Sequence, residues 1–266
     1  MSTATKAVKT ISFGSLLTAV LLFHLKSGIK SRKTIILSIV MLLPIAGGVL
    51  YLSGDGTDGI GFYKDMVEHI MLTFLVPLVC LFQGGPAVVE EIEGRTITYL
   101  FLRPVSKPAI FIGKFLSAAL ISTALVVLPL VILFFVCYAA GDPPDNAFQI
   151  LGQTVVSLLV GCFSYNAVFA TLGAIFGWSL LAGIIFWAGG DFLMSSVPIL
   201  ELGTQNYHLR NASSLVDTKP GPLDRLVGLE QAIDIPLWGS YSALIGLVVV
   251  ALVLGAWVFN DRQYVI

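Results

Sequence analysis

The chain has 266 residues, of which 56% are hydrophobic and 12% charged, with a net charge of -1. Soluble domains carry about a quarter charged residues, so this composition, with a mean hydropathy of +0.91, sets the chain among integral membrane proteins. The near-zero charge gives no basic field for nucleic acid, and no low-complexity tail or Pro-rich linker divides the chain, so residues 1–266 read as one membrane domain.

In chain order, the first apolar stretch is Thr10 to Leu25, without a full charge and preceded by Lys6 and Lys9. It is short for a span, and a span here would put those lysines outside. It reads as a helix in the cytoplasmic interface rather than a seventh span, within a segment 1–33 that ends in the basic run Lys26 to Lys33. A hydrocarbon core about 30 Å thick needs about 20 apolar residues. Six stretches qualify: Thr34 to Leu52, Val67 to Phe82, Ala109 to Ala140, Ala147 to Phe176, Ser179 to Leu200, and Leu237 to Phe259. The third and fourth exceed the need and are expected to tilt or protrude. Residues 34–259 thus form a six-span bundle, followed by a tail at 260–266.

With the N-terminus cytoplasmic, the inside holds Lys6, Lys9, Lys26, Lys30, Arg32, Lys33, Arg95, Arg103, Lys107, Lys114 and Arg262, and the outside only Lys64, Arg210, Lys219 and Arg225. The positive-inside rule therefore predicts both termini in the cytoplasm of a multi-pass cell-membrane protein.

Between spans two and three lies a charged insert, EEIEGRTITYLFLRPVSKPAIFIGKF, residues 90 to 115. Glu90, Glu91 and Glu93 cannot rest in hydrocarbon, so the segment lies in water on the cytoplasmic side. Val89, Ile92, Thr96, Tyr99 and Leu100 recur at helical spacing, and Pro104 biases Arg103 away from helix. The pattern predicts a short amphipathic surface helix, a kink and a return to the membrane. Held between two spans, such a helix can take up a partner's rigid-body movement.

Asp191, in FWAGGDFLMS, is an acid about halfway along the fifth stretch. Two readings stand: a helix-packing or helix-break contact next to Gly189-Gly190, which is preferred, and a substrate or proton site. Gly173-Ala174-Ile175-Phe176-Gly177 has GxxxG spacing, which permits close helix approach, and Pro44, Pro77, Pro129 and Pro198 mark kinks. The external segment Glu201 to Pro236 holds Tyr207-His208-Leu209-Arg210, a turn at Lys219 to Pro222, and an amphipathic helical pattern over Asp224 to Ile233. Asn211-Ala212-Ser213 matches a glycosylation sequon. Cys80, Cys137 and Cys162 fall in apolar runs and read as small core residues. No His-Glu-x-x-His pattern offers zinc two histidines on one helix face. No Gly-x-x-x-x-Gly-Lys-Ser/Thr loop cradles phosphates, so any ATP is hydrolysed on another polypeptide.

The run Glu91-x-Glu93-Gly94-Arg95-Thr96, then Leu102-Arg103-Pro104-Val105-Ser106-Lys107, then Gly113-Lys114, resembles the signature loop of ATP-binding-cassette type-2 permeases. The terminal Phe259 to Val265 resembles that family's aromatic and basic end; Pro108 departs from it, standing where a second basic residue is usual. The resemblance implies an all-α integral membrane fold: an interfacial helix, six spans, a cytoplasmic coupling helix after span two and external helices before span six. It implies that Glu90, Glu91, Glu93, Gly94, Arg95, Thr96 and Arg103 seat an ATPase subunit. It also implies two ATPase copies carrying ATP and Mg, a second permease copy as homodimer or heterodimer, and an accessory or periplasmic protein, with no cofactor and no catalysis in this chain. The rival from the residues is an ion-coupled secondary transporter or channel using Asp191, which lacks the expected inverted repeat.

Overall fold

The computed structural model of the chain describes residues 13–54, 57–93, 106–139, 144–194, 201–213, 215 and 235–261. Among them there is no β-strand, and five helices are long and apolar enough to cross a membrane: Arg32–Ser53, Gly59–Val89, Lys107–Tyr138, Ala147–Phe176 and Leu237–Asp261. The fold is thus all-helical and fits a multi-pass membrane protein. The fifth expected span starts at Ser179 and is helical to Phe192, short of the residues beyond 194.

Helix α1 (Phe13–Ile29) precedes the first span and buries none of its residues fully. It runs alongside a later helix, α6 (Lys107–Tyr138), in the same direction: a methyl on Gly113 would meet Val20 at 2.9 Å, and one on Gly28 would meet Ile121 at 2.5 Å. Glycine on alternating partners lets the two backbones approach. The first span is broken in the middle, as α2 (Arg32–Val40) and α3 (Leu43–Ser53) with Pro44 in the first turn of α3. Ser31 caps α2 by accepting the Thr34 N–H, as an N-terminal serine should.

The second span is longer than the apolar run Val67 to Phe82 suggested. It opens at Asp58, whose carboxylate caps α4 (Gly59–Asp65), widens to a π-helical stretch (Met66–Leu75), and continues as α5 (Val76–Glu93). Its first turns carry Lys64, Glu68 and His69, which interrupt hydropathy without interrupting the helix. Pro86 sits inside α5, yet the helix passes through it to Glu93, so the glutamates extend the spanning helix rather than begin a new one.

Helix α7 (Ala147–Phe176) is the hub of the bundle. It packs against α5, α6, α8 (Ser179–Ile184), α9 (Gln205–Ser213) and α10 (Leu237–Asp261). Glycines set these distances: a methyl on Gly173 would lie 2.7 Å from the Gly85 carbonyl oxygen, and one on Gly255 would lie 2.4 Å from Phe111. Of the GxxxG pair, only Gly173 makes such a contact. Gly177 has φ 72° and ends α7 in the left-handed region, the usual place for glycine after a helix. All three cysteines are buried and free.

A second π-helical stretch, Ile185–Phe192, follows α8. Both stretches show their wider turn in hydrogen bonds to the fifth residue back, Val76 N–H to Met71 and Leu193 N–H to Ala188. They touch one another, with the Phe74 and Trp187 rings 5.3 Å apart and the Trp187 indole N–H donating to the Thr73 carbonyl at 3.4 Å.

Candidate coupling end and buried polar site

At the end where the chain is expected to meet the cytoplasm, Glu90, Glu91 and Glu93 occupy the last turn of α5; their side chains, and Gly94, Arg95, Thr96 and Arg103, lie outside the described residues. What is described is the ground beneath them. Lys114, 1% exposed, donates from Nζ to the Ala87 carbonyl at 3.0 Å, tying α6 to the final turns of α5. A buried ammonium is tolerable only with such partners, and the C-terminal end of a helix favours a cation. Lys107 reaches from the first turn of α6 to the Asn260 carbonyl at 3.2 Å, in the last turn of α10. Phe111 and Phe259 pack between the same two helices, ring centroids 6.0 Å apart. On the other side of α5, Gly84 lies against Asn166 and Gly85 against Ser179. The ends of α5, α6, α7, α8 and α10 are therefore knit around the base of the glutamate turn.

Asp191 lies elsewhere. It is 2% exposed, in the second π-helical stretch, about 18 Å along the axis from Ser179 at 1.5 Å per residue. The Tyr165 hydroxyl of α7 donates to one carboxylate oxygen, and the Asn206 N–H donates to the other at 2.9 Å. Asn206 is in the first turn of α9, so Asp191 acts as a cap supplied by another segment. Its charge faces the positive end of the helix and satisfies a donor that lacks an intrahelical partner. Thr204 supplies the local cap, accepting the Tyr207 N–H at 3.3 Å.

Helix α9 is fixed at further points. Arg210 forms an ion pair with Glu68 of the first π-helical stretch. Leu209 fills the space over Gly161 of α7. The Tyr241 hydroxyl of α10 donates to the Ala212 carbonyl at 3.1 Å. Asn211, the sequon residue, donates to the Ile235 carbonyl and the Ser240 hydroxyl, each at 2.8 Å, so its amide is occupied in packing. Burial pushes the His208 imidazole below its ordinary pKa. The two π-helical stretches, in contact with each other, are thus both held by α9.

Sequence reasoning singled out Asp191 but none of its partners. Tyr165 is an aromatic residue in an apolar run, and the nine residues of α9, QNYHLRNAS, are too polar to mark a helix by themselves. Their helix is visible only once its buried side, Gln205, Asn206, Leu209, Ala212 and Ser213, has a bundle to face. The helix expected over Asp224 to Ile233 lies outside the described residues.

A sequence model of the ABC-2 family transporter proteins matches residues 29–188. The chain is 29% identical over 185 residues to the probable ABC transporter permease protein NosY of Stutzerimonas stutzeri, covering 68% of this chain and 62% of that protein. It is 26% identical over 169 residues to the protein of the same name from Pseudomonas aeruginosa, covering 62% of this chain and 54% of that one. It spans less than two thirds of the length of either relative. The family match runs from the end of α1 through α8, taking in the first span, the glutamate turn and the α7 hub, and on that extent the chain belongs to the ABC-2 family of transporter proteins.

Proposed function

We propose that the chain is the membrane-spanning permease subunit of an ATP-binding-cassette transporter, exporting a substrate or transmitting force to a membrane partner. A separate ATPase docks on the cytoplasmic segment near residues 88–103. The carrying observation is that α5 is one helix from the buried Val76 to the glutamate turn, clipped to α6 by Lys114 at Ala87. A push on that turn is passed along two helices into the α7 hub without an intervening loop. Glu90, Glu91, Glu93 and Arg95, with Gly94, Thr96 and Arg103, form the docking surface. Two ATPase copies carry ATP and Mg, a second permease completes the complex, and an accessory protein outside the membrane joins it. This chain itself hydrolyses nothing. Asp191 holds α9 in place.

Reversal of Glu90 and Glu93 to lysine is expected to reduce co-purification of the ATPase by about tenfold or more, since breaking a charged interface contact costs about 2–5 kcal/mol. ATP hydrolysis stimulated by the permease falls with it. Unchanged retention and stimulation would remove the docking surface from this segment.

The same reading places both termini and Lys107 inside and Asp142 outside. Single cysteines at positions 6, 107 and 142, in a chain without Cys80, Cys137 and Cys162, are expected to react with an impermeant maleimide on intact cells only at 142. Labelling at 6 would make the first apolar helix a span.

A further inference from the structure

The break in the first span leaves a groove along its flank. Between α1 and α2 on one side and α6 on the other lies a space of about 530 Å³, walled by Ile29, Ser38 and Leu42 facing Leu120, Leu128 and Ile132. The chain turns at Lys30–Ser31 between α1 and α2, the turn residues Met41 and Leu42 separate α2 from α3, and Pro129 lies inside the continuous α6. From Leu120 to Ile132 the groove runs about 18 Å along α6 at 1.5 Å per residue, slightly more than half of a hydrocarbon core of about 30 Å. That is the depth of one leaflet.

One end of the groove adjoins a basic turn. Leu25 and Ile29 line it where α1 stops, and Lys26, Lys30 and Arg32 are exposed around that same turn. In sequence no carboxylate precedes Asp55. The walls away from this end are apolar apart from Thr34 and Ser38. Of these, the Thr34 hydroxyl donates to the Gly28 carbonyl at 2.7 Å and Ser38 to the Thr34 carbonyl at 2.8 Å. The groove therefore offers hydrocarbon along its length and three cations at its mouth, and asks for a ligand with an acyl tail and an anionic head.

We propose that this groove is a binding site for one anionic phospholipid of the cytoplasmic leaflet, its tail lying between α2 and α6 and its phosphate at Lys26, Lys30 and Arg32. Basic side chains beside a bilayer each strengthen attachment to anionic lipid about fivefold, so three distinguish an anionic from a zwitterionic headgroup strongly. The site rests on the groove and its charges and stands whether or not an ATPase docks near Glu90.

The test is native mass spectrometry of the purified full chain titrated with phosphatidylglycerol and phosphatidylcholine of identical tails. The expected result is at least a tenfold preference for phosphatidylglycerol. The triple variant Lys26→Gln, Lys30→Gln, Arg32→Gln abolishes the preference while leaving phosphatidylcholine binding unchanged. Ala124→Trp, which fills the groove from its exposed α6 wall, lowers binding of both lipids. The two variants act on different ends of the site, so either one decides if the other does not fold. Equal binding of the two lipids to the native chain, a preference that survives the triple variant, or undiminished binding to Ala124→Trp overturns the proposal. So does an efficient disulfide between Leu128→Cys in two copies, which would give the groove to a second permease.

Discussion

Replacing Asp191 by leucine is expected to detach α9 from the bundle, while asparagine at the same place keeps it docked. Leucine removes the acceptor for both the Tyr165 hydroxyl and the Asn206 N–H and leaves two buried donors without partners, at about 1–3 kcal/mol each. Asparagine keeps one oxygen to accept from Asn206, and its amide can donate to the Tyr165 oxygen, so the contact survives with its polarity reversed. What is lost is the charge at the helix N-terminus, about 0.3–2 kcal/mol. Hydrogen exchange reads the difference directly: amides of Gln205–Ser213 lose protection in Asp191→Leu and retain most of it in Asp191→Asn. Transport sorts the roles. If Asp191→Asn abolishes ATP-dependent function while assembly, expression and α9 protection stay normal, the carboxylate has an ion- or substrate-binding role, and the secondary-transporter reading gains ground.

Gly173→Leu is expected to be more damaging than any single polar change on the outer surface. Even a methyl there would approach the Gly85 carbonyl oxygen to 2.7 Å, the Ser179 Cβ to 3.2 Å and Val89 to 3.3 Å. The nearest atom is backbone on a helix that is itself clipped by Lys114, so it cannot swing aside. Overpacking of this kind costs about 1–3 kcal/mol, and leucine adds branches to the clash. Gly84→Ala follows the same logic against Asn166, whose Cα would lie at 3.1 Å. Gly152 and Gly246 supply the control, since a methyl on either meets nothing within 4 Å. Alanine at those two is expected to raise stability by about 0.5–1 kcal/mol through helix propensity. Thermal unfolding in detergent should rank the four oppositely, with Gly173→Leu and Gly84→Ala falling and the other two unchanged or raised. A Gly173→Leu chain that melts like the native one would mean that the α5–α7 contact is looser than its geometry.

The sequence disclosed the spans wherever hydrophobic runs and punctuation coincide. Ala147 to Phe176 matches α7 end for end, because Asn146 and Gly177 bracket a stretch without a single charged residue. It fell short at the second span, whose helix begins at Gly59, ahead of the expected start at Val67, because Lys64 and Asp65 lower the local hydropathy there. Glu68, inside the expected span, has its countercharge in Arg210, a residue 142 positions away that no local window contains. The polar site follows the same rule: Asp191 is conspicuous as an acid in an apolar run, whereas Tyr165 and α9 acquire meaning only through tertiary contact. The segment proposed for coupling is the reverse case. That reading rests on the order of Glu93-Gly94-Arg95-Thr96 and Arg103-Pro104, a local pattern, and what the fold adds is the anchorage beneath Glu93.

The two π-helical stretches bear on how this chain tolerates change in length. In an α-helix, removing one residue turns everything beyond it by about 100° and misplaces a whole packed face. In a stretch whose hydrogen bonds already reach back five residues, removing one residue lets them close to four while the segments on either side keep their facing. Met66–Leu75 and Ile185–Phe192 are therefore places where a single-residue deletion can be absorbed, and α7, with no such slack, is the helix whose length is fixed.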